Sequence, residues 1–359
     1  MQTPVYHKLV SHLAKNAIRA QLTRSPWFDP ILSTLYVTPM CNLRCTYCDD
    51  FGAHRNDQFR GQALSLDGFK RAIDMLADET IGLYLTGGEP TLNPDLVEIL
   101  RHARPRFMYV AMNTNAICLR DHDGILGLLD NLVISVDSMH EGRRDDVLAA
   151  QPDNIRKLFE NVRWAAAQQR ARGFTLTVTS VLRPGRLDEA RAVRDFCFEI
   201  GAEFSPQHLS DHDRMPSRDL QADADFRRFM EELIAARSDG KPVSGSVNYL
   251  RGVRDQAPYQ CTPTAAPHVD WRGHLAYPCR ELPDHIWVDM LAAGSYRSAL
   301  DEAASKWGAP PNDCSRCGER CYVELSTLVR NPLAGARESV GYVASAARNH
   351  LTRLLGPRA

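Results

Sequence analysis

Three cysteines lie close together near the start of the chain, and their spacing strongly constrains what the protein can be. Cys41, Cys45 and Cys48 follow soon after the apolar stretch 35–37. Thiolates on one such loop can hold three irons of a cubane [4Fe–4S] cluster and leave the fourth iron without a protein ligand. Because cluster irons are normally held by four cysteines, the loop predicts that another molecule binds the open iron.

Zinc and disulfide bonds are the alternative explanations of this loop. Structural zinc takes four ligands in a tetrahedron, and His54 is the nearest candidate for the fourth. Charged and polar residues interrupt the first 24 residues, which argues against a signal peptide. We therefore expect a cytoplasmic protein, in which clustered cysteines are typically metal-binding or catalytic rather than disulfide-bonded.

The cysteines are distributed unevenly along the 359 residues. Of the ten, three lie at 41–48, five lie at 261–321, and Cys118 and Cys197 lie between these groups. This distribution predicts two metal centres with a scaffold between them. The formal net charge of -1 gives no reason to expect nucleic-acid binding. No apolar stretch reaches the ~18 residues that a membrane span requires.

The cysteine loop resembles the signature of the radical S-adenosylmethionine (radical SAM) family, C-x3-C-x-aromatic-C, with Tyr47 as the aromatic residue. The resemblance implies that the amino and carboxylate groups of SAM bind the open iron. Reductive cleavage of SAM would then give a 5′-deoxyadenosyl radical, which removes a hydrogen atom from the substrate. It also implies a partner that donates electrons, such as flavodoxin or ferredoxin.

Between residue 34 and about residue 210, short apolar runs alternate with helical patterns. The predicted strands are Ser33–Thr38, Leu83–Thr86, Met108–Met112, Leu132–Val136, Thr175–Val181 and Glu203–Gln207. The predicted helices include Leu66–Asp78, Asn93–His102, Asn154–Arg172 and Leu187–Ile200. The alternation predicts a parallel sheet with right-handed crossovers, in either a barrel or a doubly wound sheet. The resemblance implies an α/β fold, namely a partial (β/α)6 radical SAM barrel with a small C-terminal β-hairpin/α auxiliary-cluster domain.

Four segments are predicted along the chain. They are an amphipathic helical extension at 1–33, the radical SAM core at 34–230, the auxiliary-cluster domain at 231–330 and a C-terminal helix at 331–359. Residues 5–22 and Tyr342–Leu355 each combine an apolar helical face with basic residues. Docking of these helices on the barrel is the favoured explanation, and peripheral contact with an anionic membrane is the alternative.

Motifs follow the predicted strands at their carboxyl ends, where ligands bind in parallel α/β sheets. The resemblance implies SAM contacts from Tyr47, Gly87, Gly88, Glu89, Pro90, Asn113, Asn115, Ser135 and Asp137. By this resemblance, Glu89 receives the amino group of SAM, Tyr47 lies against its adenine, and Asp137 contacts its ribose. An ordinary glycine turn, strand-end turn residues and core packing are the alternatives for these positions.

The second group of cysteines surrounds a predicted β-hairpin at 269–279. It resembles the Twitch domain, a shortened SPASM domain that binds an auxiliary [4Fe–4S] cluster. We expect ligands from Cys261, Cys279, Cys314 and Cys317, with a four-thiolate zinc ribbon as the alternative. Cys321 is a fifth thiol for four sites. It could replace one of the four ligands, be an inert core thiol, or donate a hydrogen atom to a substrate radical.

A second cluster would let a substrate radical lose an electron, which also requires a base for the departing proton. His208 and Asp211, after the sixth strand, are the candidates, although such polar loops are often simply solvated. A small-molecule substrate is favoured, and specifically dehydrogenation of a sugar or cyclitol alcohol. The alternatives are a peptide-modifying maturase, an epimerase that uses a cysteine hydrogen donor, and a lipid-modifying enzyme. The non-enzyme alternatives are an iron–sulfur electron carrier and a zinc-stabilised binding protein.

Overall fold

The computed structural model describes residues 3–23, 25–48, 57–139, 152–211, 217–311, 313–315 and 317–330. His54 and the predicted C-terminal helix at 331–359 lie outside these residues, as does the stretch Tyr342–Leu355.

The described chain alternates strands and helices through its first two thirds. The strands are β1 Leu32–Tyr36, β2 Gly82–Thr86, β3 Tyr109–Thr114, β4 Asn131–Ser135, β5 Thr175–Leu182, β6 Glu203–His208, β7 His268–Val269, β8 His274–Tyr277 and β9 Ile286–Asp289. The helices are α1 Thr3–Ile18, α2 Leu66–Glu79, α3 Leu96–Ala103, α4 Pro152–Arg172, α5 Leu187–Ile200, α6 Arg218–Ala222, α7 Ala224–Ser238, α8 Val247–Asp255, α9 Met290–Ala293, α10 Tyr296–Trp307 and α11 Arg320–Arg330. Short 3-10 turns lie at Asp57–Phe59, Pro90–Leu92, Leu119–Leu128 and Pro263–Ala265, and a π-helical turn lies at Arg19–Thr23.

All described strands join one sheet in the order β6-β5-β4-β3-β2-β1-β7-β8-β9. The pairs from β6 to β7 are parallel, and β8 and β9 are antiparallel additions. A doubly wound sheet reverses its strand order at a switch point, whereas β1 to β6 follow one another without reversal. The predicted partial (β/α)6 barrel is therefore confirmed, and the doubly wound alternative is wrong.

The six predicted strands are confirmed with bounds that differ by at most two residues, and the bounds of α5 are those predicted. The alternation of buried and cavity-facing side chains in β2 shows why these strands form. Leu83 and Leu85 are fully buried on the helix side of the sheet, whereas Tyr84 and Thr86 face the barrel interior. Helix α2 covers that outer side with a stripe at helical spacing that includes Phe69.

The predicted hairpin forms from β7 and β8, with Gly273 in the turn at φ +82°. Its first strand pairs in parallel with β1, since Thr34 lies opposite His268 and Leu35 lies opposite Val269. The sequence did not predict this pairing, because β7 is only two residues long. The hairpin consequently continues the barrel's own sheet.

Helix α1 docks on the chain just before β1. Asn16 is fully buried and its side chain donates to the Asp29 carbonyl at 2.8 Å, while the Asp29 amide donates back to Asn16 at 2.7 Å. His12 lies 3.1 Å from the Pro30 carbonyl oxygen, and Arg19 pairs with the Asp29 carboxylate at 2.8 Å. These contacts support docking as the explanation of the first amphipathic segment. None of the helices among the described residues is long and apolar enough to cross a membrane.

Candidate active site

The barrel encloses a cavity of about 630 Å³. The inward-facing side chains of the strands line it, and the three cysteines of the loop after β1 lie at its rim. The strand residues on its wall include Tyr36, Thr86, Asn113, Ser135, Thr179 and Gln207. The volume lies within the range of clefts that bind cofactors and small molecules.

Gly87 and Gly88 hold the cysteine loop in place. The Gly88 amide donates to the Thr38 carbonyl at 2.9 Å, and the next amide donates to Met40 at 2.7 Å. A Cβ on Gly88 would lie 2.1 Å from the Met40 carbonyl oxygen, and one on Gly87 would lie 2.6 Å from that of Thr38. The close approach that needs two glycines is thus made by the protein's own cysteine loop.

Glu89 joins the ends of β2 and β3. Its side chain is buried, and one carboxylate oxygen accepts hydrogen bonds from the Thr91 amide at 3.0 Å and the Thr114 hydroxyl at 2.6 Å. The other oxygen accepts from the Asn115 amide at 2.6 Å. Burial raises the pKa of the Glu89 carboxyl, and these donors act against that rise. Glu89 also lines the cavity, where a carboxylate can accept bonds from an ammonium group.

The turn after β3 connects to the cysteine loop through an amide. The Asn115 side chain donates to Asn42 at 2.7 Å, and Asn42 lies between the first two cysteines. Ala116 adopts φ +61°, in the left-handed region that glycine favours. The backbone therefore keeps the glycine conformation with an alanine side chain. Asn113 lines the cavity and accepts from the Ser135 hydroxyl at 3.4 Å.

Asp137, just beyond β4, and Tyr47 contact each other directly. One Asp137 oxygen accepts from the Val181 amide at 2.7 Å, and the other accepts from the Tyr47 hydroxyl. The guanidinium of Arg183 lies 5.9 Å from the centre of the Tyr47 ring and pairs with Glu189 at 3.1 Å. Burial raises the pKa of the Asp137 carboxyl. The predicted SAM contacts from Tyr47 and Asp137 thus come from one hydrogen-bonded pair on the cavity wall.

The cysteine loop meets the chemical requirements of a three-iron ligand set. Cys41, Cys45 and Cys48 all line the cavity, and none of them is in a disulfide. Burial raises the pKa of Cys41 and of Cys45 to about 12. These thiols are therefore protonated before metal binds, and iron has to displace the protons. The three cysteines would hold such a cluster at the wall of the cavity.

Comparison with known proteins agrees with this geometry. The model of the Radical SAM superfamily matches residues 35–197, which run from β1 to α5. This segment belongs to the radical SAM superfamily. Radical SAM proteins bind a [4Fe–4S] cluster and SAM, which are accordingly the cofactors of this domain.

Two relatives and one solved structure illustrate the likeness. The chain is 30% identical to the PqqA peptide cyclase of Ruegeria pomeroyi over 179 residues, 48% of this chain and 45% of that protein. It is 28% identical to a probable GTP 3′,8-cyclase of Methanococcus maripaludis over 227 residues, 58% of this chain and 73% of that protein. The match thus spans about half the length of the peptide cyclase. Streptococcus suis SuiB bound to S-adenosylmethionine has a similar fold, with a TM-score of 0.54, 17% identity, and coverage of 77% of this chain and 65% of that one.

The cysteines that follow the radical SAM domain gather around α11 and the hairpin. Cys261 and Cys279 are buried in one apolar cluster with Tyr322, and Cys314 and Cys317 pack against it. The Cys261 amide donates to the Cys314 carbonyl at 2.8 Å. Burial raises the pKa of Cys261 to about 12 and raises the pKa of Cys317 as well. Segments far apart in sequence are thus brought to one place.

Within the described residues, no group of three or more His, Cys, Asp and Glu side chains is close enough to share one metal ion. Thiolates around a single zinc all bind the same atom at about 2.3 Å. Ligands of a four-iron cluster stand further apart, because each thiolate binds a different iron. The two alternatives for this group therefore differ in how far apart the thiolates stand.

Cys321 differs from the other four cysteines of this group in one respect. It lies on α11 and lines the cavity, whereas Cys261, Cys279, Cys314 and Cys317 are not among the described residues of the cavity wall. Burial raises the pKa of the Cys321 thiol well above its ordinary value. The three predicted roles of Cys321 stay predictions, and its position gives the thiol direct access to the cavity.

His208 and Asp211 lie away from the cavity. His208 ends β6 with its side chain on the opposite face from Gln207, and its Nε2 abuts Gly318, where a Cβ would lie 2.2 Å away. Asp211 accepts a hydrogen bond from the Arg218 amide at 3.2 Å, which caps the start of α6. The structure does not bring these two candidate bases to the site.

Sequence reasoning missed several charged residues on the cavity wall. They are Arg183, Arg280, Glu281, Glu319, Arg320 and Glu324. Arg320 donates to the hydroxyls of Ser205 on β6 and Ser244, at 3.2 and 2.6 Å, so α11 closes the side of the barrel next to β6. The available signal was the Arg320–Glu324 pair at i,i+4, which here stands 2.7 Å apart beside Cys321.

Proposed function

We propose that the protein is a radical SAM enzyme that modifies a substrate held inside the barrel, with an auxiliary [4Fe–4S] cluster beside the same cavity. One observation carries this proposal. The cysteine loop after β1 and Cys321 on α11 line a single cavity of about 630 Å³. Cys261, Cys279, Cys314 and Cys317 would hold the auxiliary cluster. An isolated electron carrier has no use for an enclosed cavity between its metal sites.

The chain's own residues bind and orient the reactants in this proposal. When bound, the first cluster and SAM together supply a 5′-deoxyadenosyl radical that takes a hydrogen atom from the substrate. Glu89 would bind the amino group of SAM, and the Tyr47–Asp137 pair would bind its ribose. The hydrogen bonds described above would hold these side chains in position. Helix α11 would exclude water from the side of the barrel that Arg320 closes.

The charge of the cavity bears on the substrate. Five carboxylates and three guanidinium groups line it, namely Glu89, Asp137, Glu281, Glu319 and Glu324, with Arg183, Arg280 and Arg320. Each arginine is paired with a carboxylate, at 3.1, 3.4 and 2.7 Å for Arg183, Arg280 and Arg320. In this proposal Glu89 and Asp137 are occupied by SAM, so the wall left to the substrate has no excess of positive charge for a triphosphate, and a nucleotide such as GTP fits poorly.

We infer that the substrate is a neutral or cationic group, with a peptide side chain as the first candidate. The likeness to a peptide cyclase supports that class. Dehydrogenation of a sugar or cyclitol alcohol, which the sequence analysis favoured, agrees with the cavity charge but has no relative named above to support it. The oxidising role of the auxiliary cluster and the external electron donor, flavodoxin or ferredoxin, belong to the same proposal, as does a cytoplasmic location.

Iron counting tests the two clusters. Anaerobically reconstituted protein is expected to hold about eight irons per chain. A Cys41/Cys45/Cys48→Ala variant should keep about four and lose dithionite-driven conversion of SAM to 5′-deoxyadenosine. A Cys261/Cys279/Cys314/Cys317→Ala variant should also keep about four, with SAM cleavage retained. About four irons in the wild type would overturn the auxiliary cluster and leave the radical SAM assignment intact.

Substrate class is tested by stimulation of SAM cleavage. We would compare a PqqA-type precursor peptide, an aminocyclitol and GTP, each deuterated at carbon, and measure deuterium in the 5′-deoxyadenosine formed. Transfer from the peptide or the aminocyclitol, with none from GTP, is expected from the cavity charge. Transfer from GTP alone would overturn the argument from charge.

A further inference from the structure

The outer face of α1 carries an apolar stripe that continues into the π-helical turn after it. The stripe recurs every fourth residue, as Val10, Ala14, Ile18 and Leu22. Residues four apart lie on one side of a helix. Val10 is 68% exposed, Ile18 is 52% exposed and Leu22 is 77% exposed. Contiguous exposed apolar surface of this kind marks a site where something else binds.

The opposite face of α1 is fixed on the barrel, so the stripe cannot turn inwards. His12 and Asn16 are buried on that face, against the backbone of Pro30 and Asp29. Covering the stripe therefore requires an additional partner on the outer side of α1.

Helix α11, the last described element, ends beside this stripe. The side chain of Gln21, the neighbour of Leu22, donates to the carbonyl of Arg330. Leu13 of α1 packs against the apolar cluster that contains Val329 of α11. The part of the chain that follows residue 330 consequently starts next to one end of the stripe.

The sequence after residue 330 has the pattern that such a stripe requires. Residues 331–341 contain one proline and two glycines, which is typical of a linker. Residues 342–355 have apolar residues at helical spacing, with Val343, Ala347, Leu351 and Leu354 on one side. A helix of that length would measure about 21 Å, and the stripe measures about 18 Å, at about 1.5 Å per residue. The linker can extend to about 36 Å, so the segment can reach all of the stripe.

We propose that the outer stripe of α1 binds residues 342–355 of the same chain, which lie along it as an amphipathic helix. Attachment through residue 330 favours this occupant, because a short linker raises the effective concentration of the attached segment to the millimolar range. An anionic membrane suits the face less well, because Lys8 and Arg19 are already bonded to Ala77 and Asp29. A second copy of the chain would have to compete with the attached segment.

Hydrogen exchange, measured by mass spectrometry on the full chain, tests this contact. An isolated helix of this length is marginal in water, so protection of residues 342–355 requires a surface to dock on. Their amides should exchange at least about tenfold more slowly in the wild type than in a free peptide of the same sequence. Ile18→Asp/Leu22→Asp should abolish that protection. Leu351→Asp/Leu354→Asp should do the same, and combining the two pairs should add nothing further.

Two control variants make the same kind of change elsewhere. Ser345→Asp/Thr352→Asp puts two charges on the opposite side of the predicted helix and should leave the protection as it is. Trp287→Asp changes an exposed apolar residue of β9 and should also have no effect. All variants should keep the iron content of the wild type, because no residue of α1 is among the described residues of the cavity wall. Loss of protection with iron retained therefore separates undocking from misfolding.

The other possible occupants of the stripe are outcomes that would overturn the proposal. A dimer in light scattering that Ile18→Asp/Leu22→Asp dissociates, with protection that rises with protein concentration, would assign the stripe to a second copy. Binding to vesicles of phosphatidylglycerol and phosphatidylcholine that the same variant loses, with residues 342–355 unprotected in solution, would assign it to a membrane. Wild-type exchange as fast as that of the free peptide would also sink the proposal, as would full protection in Ile18→Asp/Leu22→Asp.

Discussion

The two groups of cysteines are built in opposite ways. Cys41, Cys45 and Cys48 lie on one loop that is held by its neighbours in the sheet, through Gly88 and Asn115. The C-terminal cysteines come from segments between 261 and 321 and meet only because β7 pairs with β1 and α11 packs beside β6. The first group thus comes from one continuous loop of the barrel, whereas the second forms only when distant segments of the chain pack together. Changes to the first loop should therefore be felt at one site, whereas changes that break the pairing of β7 with β1 should also affect the fold.

The largest effect is expected from Gly88→Ala. The new Cβ would lie 2.1 Å from the Met40 carbonyl oxygen, so the cysteine loop would have to move. We expect the first cluster to be lost while the auxiliary cluster remains, which would lower iron from about eight to about four per chain and abolish SAM cleavage. Gly127→Ala is the control, because nothing lies within 4 Å of its Cβ position. Retention of about eight irons in Gly88→Ala would break the contrast between the two groups.

Glu89→Gln should have an intermediate effect that is again confined to the first site. An amide cannot accept at both ends, so a donor would face the Asn115 or Thr91 amide in a buried position. An unsatisfied buried donor costs about 2 kcal/mol. We expect that loss in anaerobic urea unfolding and a fall in SAM cleavage, with the potential of the auxiliary cluster unchanged. Glu98→Gln, at an exposed position on α3, should leave all three measurements as they are.

The smallest effect should appear at the second site as a dependence of stability on pH. Burial lowers the pKa of His268 from 6.5 to about 4. Above pH 6.5 the imidazole is neutral in both folded and unfolded chains and contributes nothing to the dependence. As pH falls from 6.5 towards 4, the unfolded chain binds a proton that the folded chain does not, so the folded state is destabilised.

This loss follows the proton that the unfolded chain takes up, at about 1.4 kcal/mol per unit of pKa difference between the two states. At pH 5.5 it is about 1 kcal/mol. Urea unfolding of the iron-free protein measures it, and His268→Gln should give a flatter curve over the same range. The same slope in both proteins would show that other groups carry the pH dependence.

Local sequence patterns predicted the strands and helices, and the family resemblance carried by the cysteine spacing predicted the barrel and the SAM contacts. The cysteine spacing, the two glycines and the strand-end residues are short-range signals, and each strand repeats the same alternation of buried and cavity-facing residues. The sequence did not explain why Gly87 and Gly88 are needed, because the backbone they admit belongs to residues 38–40, nearly fifty positions earlier.

The second site could be predicted only as a set of cysteines. The two-residue strand β7 is too short to leave a period in the sequence, so the pairing that brings His268 to the cavity has no local signal. His208 was a candidate base because it follows a predicted strand, whereas no local pattern pointed to His268. Successive side chains of β6 point to opposite faces of the sheet, so Gln207 points into the cavity and His208 points away from it.

The parallel pairing of β7 with β1 also determines where the chain can be truncated without loss of the fold. In a chain shortened to residues 1–230, β1 would lose its neighbour and become an open edge strand. Its exposed row would include Leu35, which is now fully buried, together with backbone groups that now bond to the hairpin segment, such as the amide of Thr34. Unprotected edges of this kind recruit strands from other molecules. The radical SAM half, expressed without the residues that follow it, should therefore form aggregates instead of a smaller working enzyme.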